Sequence, residues 1–400
     1  MTPDESLDQS SGQSAWLLLR RHRWSLGFLP ILLALALASV TAATAVPEQT
    51  DVFVAGTDGY HTYRIPAIVV TTNGTVLAFC EGRKNSRSDT GDIDLLFKCS
   101  TDGGKTWSPQ KVIWSDGENT CGNPAPVVDH VTGIVWLLMT WNRGVDKEDQ
   151  INYLKSRDTR RVFASHSSDD GLNWTKPREI TSTVKQADWG WYATGPVNGI
   201  QLERGEHKGR LVIPCNHSTL TTSTQVVTRS HIIFSDNHGR TWQIGGIEEE
   251  MTNESTVVEL PDGSLLHNMR SYHKQYRRAV ATSRDGGLTW SPVKLDQTLV
   301  EPVCQASILR CAWPATGGKS TILFSNPAST KRERMTIRLS QDEGEVWSAG
   351  QVIHAGPSAY SCLTILPDKA IGCLYERGAK NPYERISLAR FTLEWLEKAD

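Results

Sequence analysis

The chain has 400 residues, 22% of them charged, with a formal net charge of −2. That balance gives no footing for a nucleic-acid partner, and a hydrophobic content of 38% supports a real core. Fourteen tryptophans and 32 glycines point to repeated strands and turns rather than to a helical architecture.

The first 45 residues read differently from the rest. Arg20, Arg21 and Arg23 precede an uncharged stretch from Trp24 to Val46, and Ala43-Thr44-Ala45 supplies a small-residue cleavage signal. The pattern predicts a signal peptide over 1–45 and a mature chain over 46–400, secreted or periplasmic. An uncleaved signal anchor is the alternative, because the apolar stretch is long enough to span a bilayer. Beyond it, strand-like segments follow at 65–70, 75–80, 94–100, 133–141, 209–215, 231–236, 255–260, 279–283, 321–325 and 335–340. Helical periodicity is nearly absent until LEWLEKA at 393–399.

One short pattern occurs five times along these strands. It reads STDGGKTW from 100, SSDDGLNW from 167, SDNHGRTW from 235, SRDGGLTW from 283 and SQDEGEVW from 340. Ser and Asp side chains bond back to local backbone, Gly takes the left-handed conformation that closes the turn, and Trp buries its ring as the next strand begins. The unit is a folding device and carries no chemistry. A spacing of about 60 residues suits four short strands, so the mature chain predicts an all-β, six-bladed β-propeller. Eight cysteines show no zinc spacing; Cys362 and Cys373 could meet across a hairpin, and their pairing stays open. Four N-x-S/T sequons begin at Asn73, Asn173, Asn216 and Asn253.

These boxes, together with Tyr63-Arg64-Ile65-Pro66 near the start of the mature chain, resemble the Asp boxes and the R-I-P motif of the sialidase (neuraminidase) superfamily. The boxes also occur in non-catalytic binding propellers, so the remaining motifs decide. The resemblance implies three arginines that grip a substrate carboxylate: Arg64, Arg270 in LLHNMRSY, and Arg332 in STKRERMTIRL, with Arg334 a rival for the third. Planar, permanently charged donors suit that task better than lysine. It implies Tyr360 as nucleophile and Glu254 as the base that activates it, since a phenol beside a substrate carboxylate avoids the repulsion a second carboxylate would meet. Asp89 is the implied acid/base, with Asp92 and Asp94 nearby rivals, of which Asp94 reads as structural. Arg83 matches a further sugar-binding arginine, and Glu376 a glutamate that steadies Arg64. Trp141 and the segment 189–196 are candidates for an acetamide pocket, although core packing explains them equally well.

The resemblance therefore implies an exo-α-sialidase that hydrolyses terminal α-linked sialic acids from glycoconjugates with retention, needing no metal or cofactor. A sialoglycan-binding lectin and a trans-sialidase are the alternatives. A glycan on Asn253 would obstruct the site, which favours a host that does not glycosylate.

Overall fold

The first strand of the chain, Glu48–Val54, pairs antiparallel with the last, Arg385–Phe391, with Phe53 opposite Ile386. Between these ends a computed structural model gives an all-β molecule; it describes residues 47–222, 224–314 and 319–398. The signal segment expected over 1–45 and its cleavage point lie outside the described residues.

Strand pairing forms four sheets, which read along the chain as six antiparallel meanders: the first and second are joined by one parallel bridge between Ile93 and Thr120, and the fifth and sixth share a strand. The first contains Thr62–Val70, Val76–Arg83, Ile93–Ser100 and Lys111–Trp114, and the second Thr120–Val128, Val135–Asn142, Arg161–Ser167 and Arg178–Glu179. The third has Trp189–Thr194, Leu211–Thr222, Gln225–Ser235 and Gln243–Glu250, with Ile200–Gln201 added beside Leu211–Thr222. The fourth has Thr252–Glu259, Leu265–Ser271, Arg277–Ser283 and Lys294–Val300. The fifth joins Ser307–Ala312, Thr321–Pro327 and Glu333–Ser340 to the first half of the long strand Gln351–Ile365. The sixth uses that strand's second half, then Ile371–Arg377 and Arg385–Phe391, and is completed by Glu48–Val54. Every strand segment expected from sequence overlaps one of these strands, some running one or two residues past its end, and the terminal helix spans Leu393–Glu397.

Val76–Arg83 is buried along its whole length, as expected where both faces of a sheet are covered. The five boxes explain part of that covering. In the first, Asp102 Oδ1 accepts from the backbone N–H groups of Lys105 and Thr106, and the Ser100 hydroxyl oxygen accepts from Gly104 N–H. In the third, Asn237 takes the place of Asp and accepts from Thr241 N–H. The glycines do more than close the turn. A Cβ on Gly104 would stand 2.3 Å from Leu388 of the sixth meander, and one on Gly171 2.8 Å from Leu77 of the first. Gly239 is wedged likewise on Trp136, Gly287 on Ile232 and Gly344 on Leu266. Each box thus seats its meander on the one before it. The tryptophans sit less deeply than expected: Trp242 and Trp347 are buried, whereas Trp107, Trp174 and Trp290 are half-buried.

The first strands of the meanders also bond to one another. Ile68 N–H reaches Cys362 Sγ, Leu363 N–H the Ser307 hydroxyl, and Ile308 N–H the Thr256 hydroxyl. Cys362 is paired in register with Leu374 and Cys373 with Leu363; all eight cysteines are free thiols.

Candidate active site

All six first strands contain a register shift; the one in the fifth meander falls between Arg310 and Ala312, and the residues displaced by the other five converge on one cleft. Those five shifts fall between Arg64 and Ala67, Gly122 and Ala125, Trp189 and Tyr192, Thr252 and Ser255, and Ser358 and Ser361. A bulge re-aims the side chains it carries. Here the re-aimed residues include Arg64, Asn123, Trp191, Glu254 and Tyr360, all lining a cleft of about 200 Å³. Ile65 takes φ +62, a left-handed conformation costly for a β-branched residue, and its N–H is held by Glu376 Oε1 at 3.0 Å.

Arg64, Arg83, Asp89, Glu254, Arg270, Arg332 and Tyr360 all line this cleft. Glu376 lies fully buried beneath it. Its carboxylate accepts from Arg64 Nε at 2.7 Å and from Tyr360 N–H at 3.1 Å, so one side chain fixes both residues. Arg270 Nη1 donates to Glu254 Oε2 at 2.7 Å and lies 3.4 Å from Tyr360 Oη. Tyr360 Oη donates to the other oxygen, Glu254 Oε1. Arg332 lines the cleft, while Arg334 is exposed and lies outside its lining. Asp89, half-exposed, forms a 2.7 Å salt bridge with Arg83 Nη2 and a 3.9 Å one with Arg64. Its rivals are committed elsewhere: Lys84 pairs with both Asp92 and Asp94, and Tyr60 donates to Asp94.

Burial pushes the Tyr360 phenol well above its ordinary pKa, and the Glu254 charge pushes it further, so the resting group is a neutral phenol bonded to a carboxylate. Burial also disfavours ionisation of Asp89, but Arg83 and Arg64 outweigh it and hold this carboxyl below the usual range. A phenol hydrogen-bonded to a carboxylate, with an arginine cluster and a second carboxylate in reach, gives the cleft the groups to hold an anion and to move a proton.

The second and third meanders supply a side of the cleft that sequence reasoning missed. Arg160 is buried; its Nη1 donates to Asn142 Oδ1 at 2.6 Å, its Nη2 donates to Asn123 Oδ1, and its guanidinium lies 3.8 Å from the Trp191 ring centroid. Arg160 Nε and Asn216 Nδ2 are buried without a partner among the described residues. His217 stacks on Trp189 with centroids 3.5 Å apart. Trp191 and Ala193, from the expected 189–196 segment, line the cleft; Trp141 does not, and donates to Asp116 instead. Nothing in the local sequence marked Arg160, because its surroundings are set by strands far apart in the chain.

A family model described as a BNR repeat-like domain matches residues 74–373. The chain is 36% identical over 402 residues to a sialidase of Micromonospora viridifaciens, covering 91% of this chain but 59% of that protein. It is 32% identical over 369 residues to an exo-alpha-sialidase of Aspergillus fumigatus, covering 84% of this chain and 86% of the relative. The solved structure of the Hadza microbial sialidase Hz136 superposes with a TM-score of 0.76 at 32% identity, covering 87% of this chain and 69% of that one. The fold is therefore that of a BNR-repeat protein. More narrowly, the chain belongs to the sialidase family of glycoside hydrolases.

Proposed function

We propose that this chain is an exo-α-sialidase that releases terminal α-linked sialic acids from glycoconjugates with retention of configuration. The observation that carries the reading is the Tyr360–Glu254 hydrogen bond set among Arg64, Arg270 and Arg332. In the proposed reaction the three guanidinium groups hold the substrate carboxylate. Tyr360 Oη attacks the anomeric carbon as its proton passes to Glu254, and Asp89 protonates the departing glycosidic oxygen. In the second half Asp89 takes a proton from water, the water oxygen attacks the anomeric carbon, and Tyr360 leaves and recovers its proton from Glu254. Asp89 is anionic at rest; a bound carboxylate offsets the field of Arg64 and shields the site from water, raising its pKa into the donating range.

The same reading takes the six meanders as the six blades of a propeller, supported by box glycines that seat five of them on their predecessors and by pairing of the first and last strands. It takes residues 1–45 as an export signal. A fluorinated sialoside that traps a covalent intermediate tests the chemistry. Label on the peptide bearing Tyr360 is expected, and undiminished label at another residue in Tyr360→Phe would sink the nucleophile assignment.

A further inference from the structure

The cleft holds more arginine than carboxylate, and the imbalance falls on two residues, Arg160 and Arg332. Arg64 is paired with Glu376, Arg270 with Glu254, and Arg83 with Glu81 and Asp89. Among the described residues Arg332 forms no salt bridge. Its Nη1 donates to Tyr383 Oη at 2.7 Å and its Nη2 to Val303 O at 3.5 Å. The same tyrosine serves a second arginine, for the Arg64 guanidinium carbon lies 4.1 Å from the Tyr383 ring centroid. One phenol thus touches two of the five arginines that line the cleft without itself lining it.

The loop that carries Tyr383 is held from within. Glu384 accepts from the backbone N–H groups of Ala379 at 3.0 Å, Lys380 at 2.8 Å and Asn381 at 3.1 Å, while Asn381 Oδ1 accepts from Tyr383 N–H at 2.9 Å. The loop joins Ile371–Arg377 to Arg385–Phe391, two adjacent strands of the sixth meander. A carboxylate in place of the phenol would orient Arg332 as well but would cancel its charge.

We propose that Tyr383 is a positioning residue for substrate binding: it fixes Arg332 by a hydrogen bond and Arg64 by its ring face, leaving Arg332 uncompensated to meet the substrate carboxylate. The proposal rests on the reading of the cleft as a sialidase site. A charged-donor hydrogen bond of this kind corresponds to about a tenfold change in binding.

The test measures kcat, KM and thermal midpoint for release of 4-methylumbelliferone from its α-sialoside, with inhibition by the 2,3-unsaturated sialic acid analogue. Tyr383→Phe keeps the ring but removes the acceptor. It is expected to raise KM and the inhibition constant about tenfold, to lower kcat by a smaller factor and to leave the midpoint nearly unchanged. In an Arg332→Met background the same substitution should add little, because its effect runs through Arg332. Tyr383→His, which offers an acceptor nitrogen, should recover part of the loss, and it carries the test if Tyr383→Phe does not fold. A purely structural tyrosine would lower the midpoint without moving KM. Turnover by the wild type with unchanged KM in Tyr383→Phe, or full additivity with Arg332→Met, overturns the proposal alone. No turnover by folded wild type overturns the sialidase reading and this proposal with it.

Discussion

On one side of the cleft, built by the first, fourth, fifth and sixth meanders, buried cations stand beside carboxylates: Arg64 beside Glu376, Arg270 beside Glu254. On the other, built by the second and third, Arg160, Lys185, His217 and His231 are buried and, among the described residues, form no salt bridge. Lys185 Nζ donates instead to Thr159 Oγ1, Arg160 O and Gly190 O. Burial lowers the pKa of all four, Arg160 to about 10, Lys185 to about 7 and His217 to about 3, whereas Arg64 and Arg270 are raised because, although burial opposes their charge, their carboxylates outweigh it. The difference teaches that burial alone does not decide protonation; the partner's charge does. One side is fixed in its charge, and the other resists taking up protons.

The sharpest contrast should come from the paired side. Tyr360→Phe is expected to lower kcat by about a thousandfold or more, since no other group replaces the attacking oxygen. Asp89→Asn should cost about a hundredfold to ten-thousandfold on a sialoside with an alkyl leaving group, and clearly less on the 4-methylumbelliferyl substrate, whose phenol departs without a proton. Equal losses on both substrates would remove Asp89 from the acid role.

The unpaired side predicts a pH effect on stability. A histidine whose folded pKa lies below its unfolded one leaves the unfolded chain binding more protons, so stability falls as pH drops below about 6.5. Between pH 7 and 5 the loss should be about 2 kcal/mol for His217, with His231 acting in the same direction. Thermal midpoints at the two pH values check this, and His217→Gln should narrow the gap; an unchanged gap would place acid sensitivity elsewhere. The smallest expected effect is that of Arg160→Leu, a rise in KM of about tenfold from loss of buried donors facing the cleft. An unchanged KM would show that this arginine serves packing alone.

The two sides also differ in how legible they were. The residues expected on the paired side stand in short local patterns, as Arg64 does before Ile65-Pro66, and the strands and boxes around them are equally local. Asn123, Arg160, Trp191 and His217 carry no such mark; bulges and pairings between distant segments bring them together. Tyr383 was missed because NPYER reads as an ordinary loop, and its contacts with Arg332 and Arg64 span 51 and 319 positions in sequence. The box glycines were read correctly as turn formers, but their role as wedges depends on Leu388 or Trp136 arriving from another meander. Two of the four sequon asparagines line the cleft: Asn253, whose place beside Glu254 was legible in the sequence, and Asn216, whose place was not.

The pairing of Glu48–Val54 with Arg385–Phe391 has a mechanical meaning. A tension applied to the two ends of the folded domain loads this seam before any other, and the seam belongs to the meander that carries Tyr360 and Glu376. The molecule should therefore lose its chemistry at forces that leave the other five meanders intact, and tethering it through a single end, rather than both, should preserve turnover on a surface.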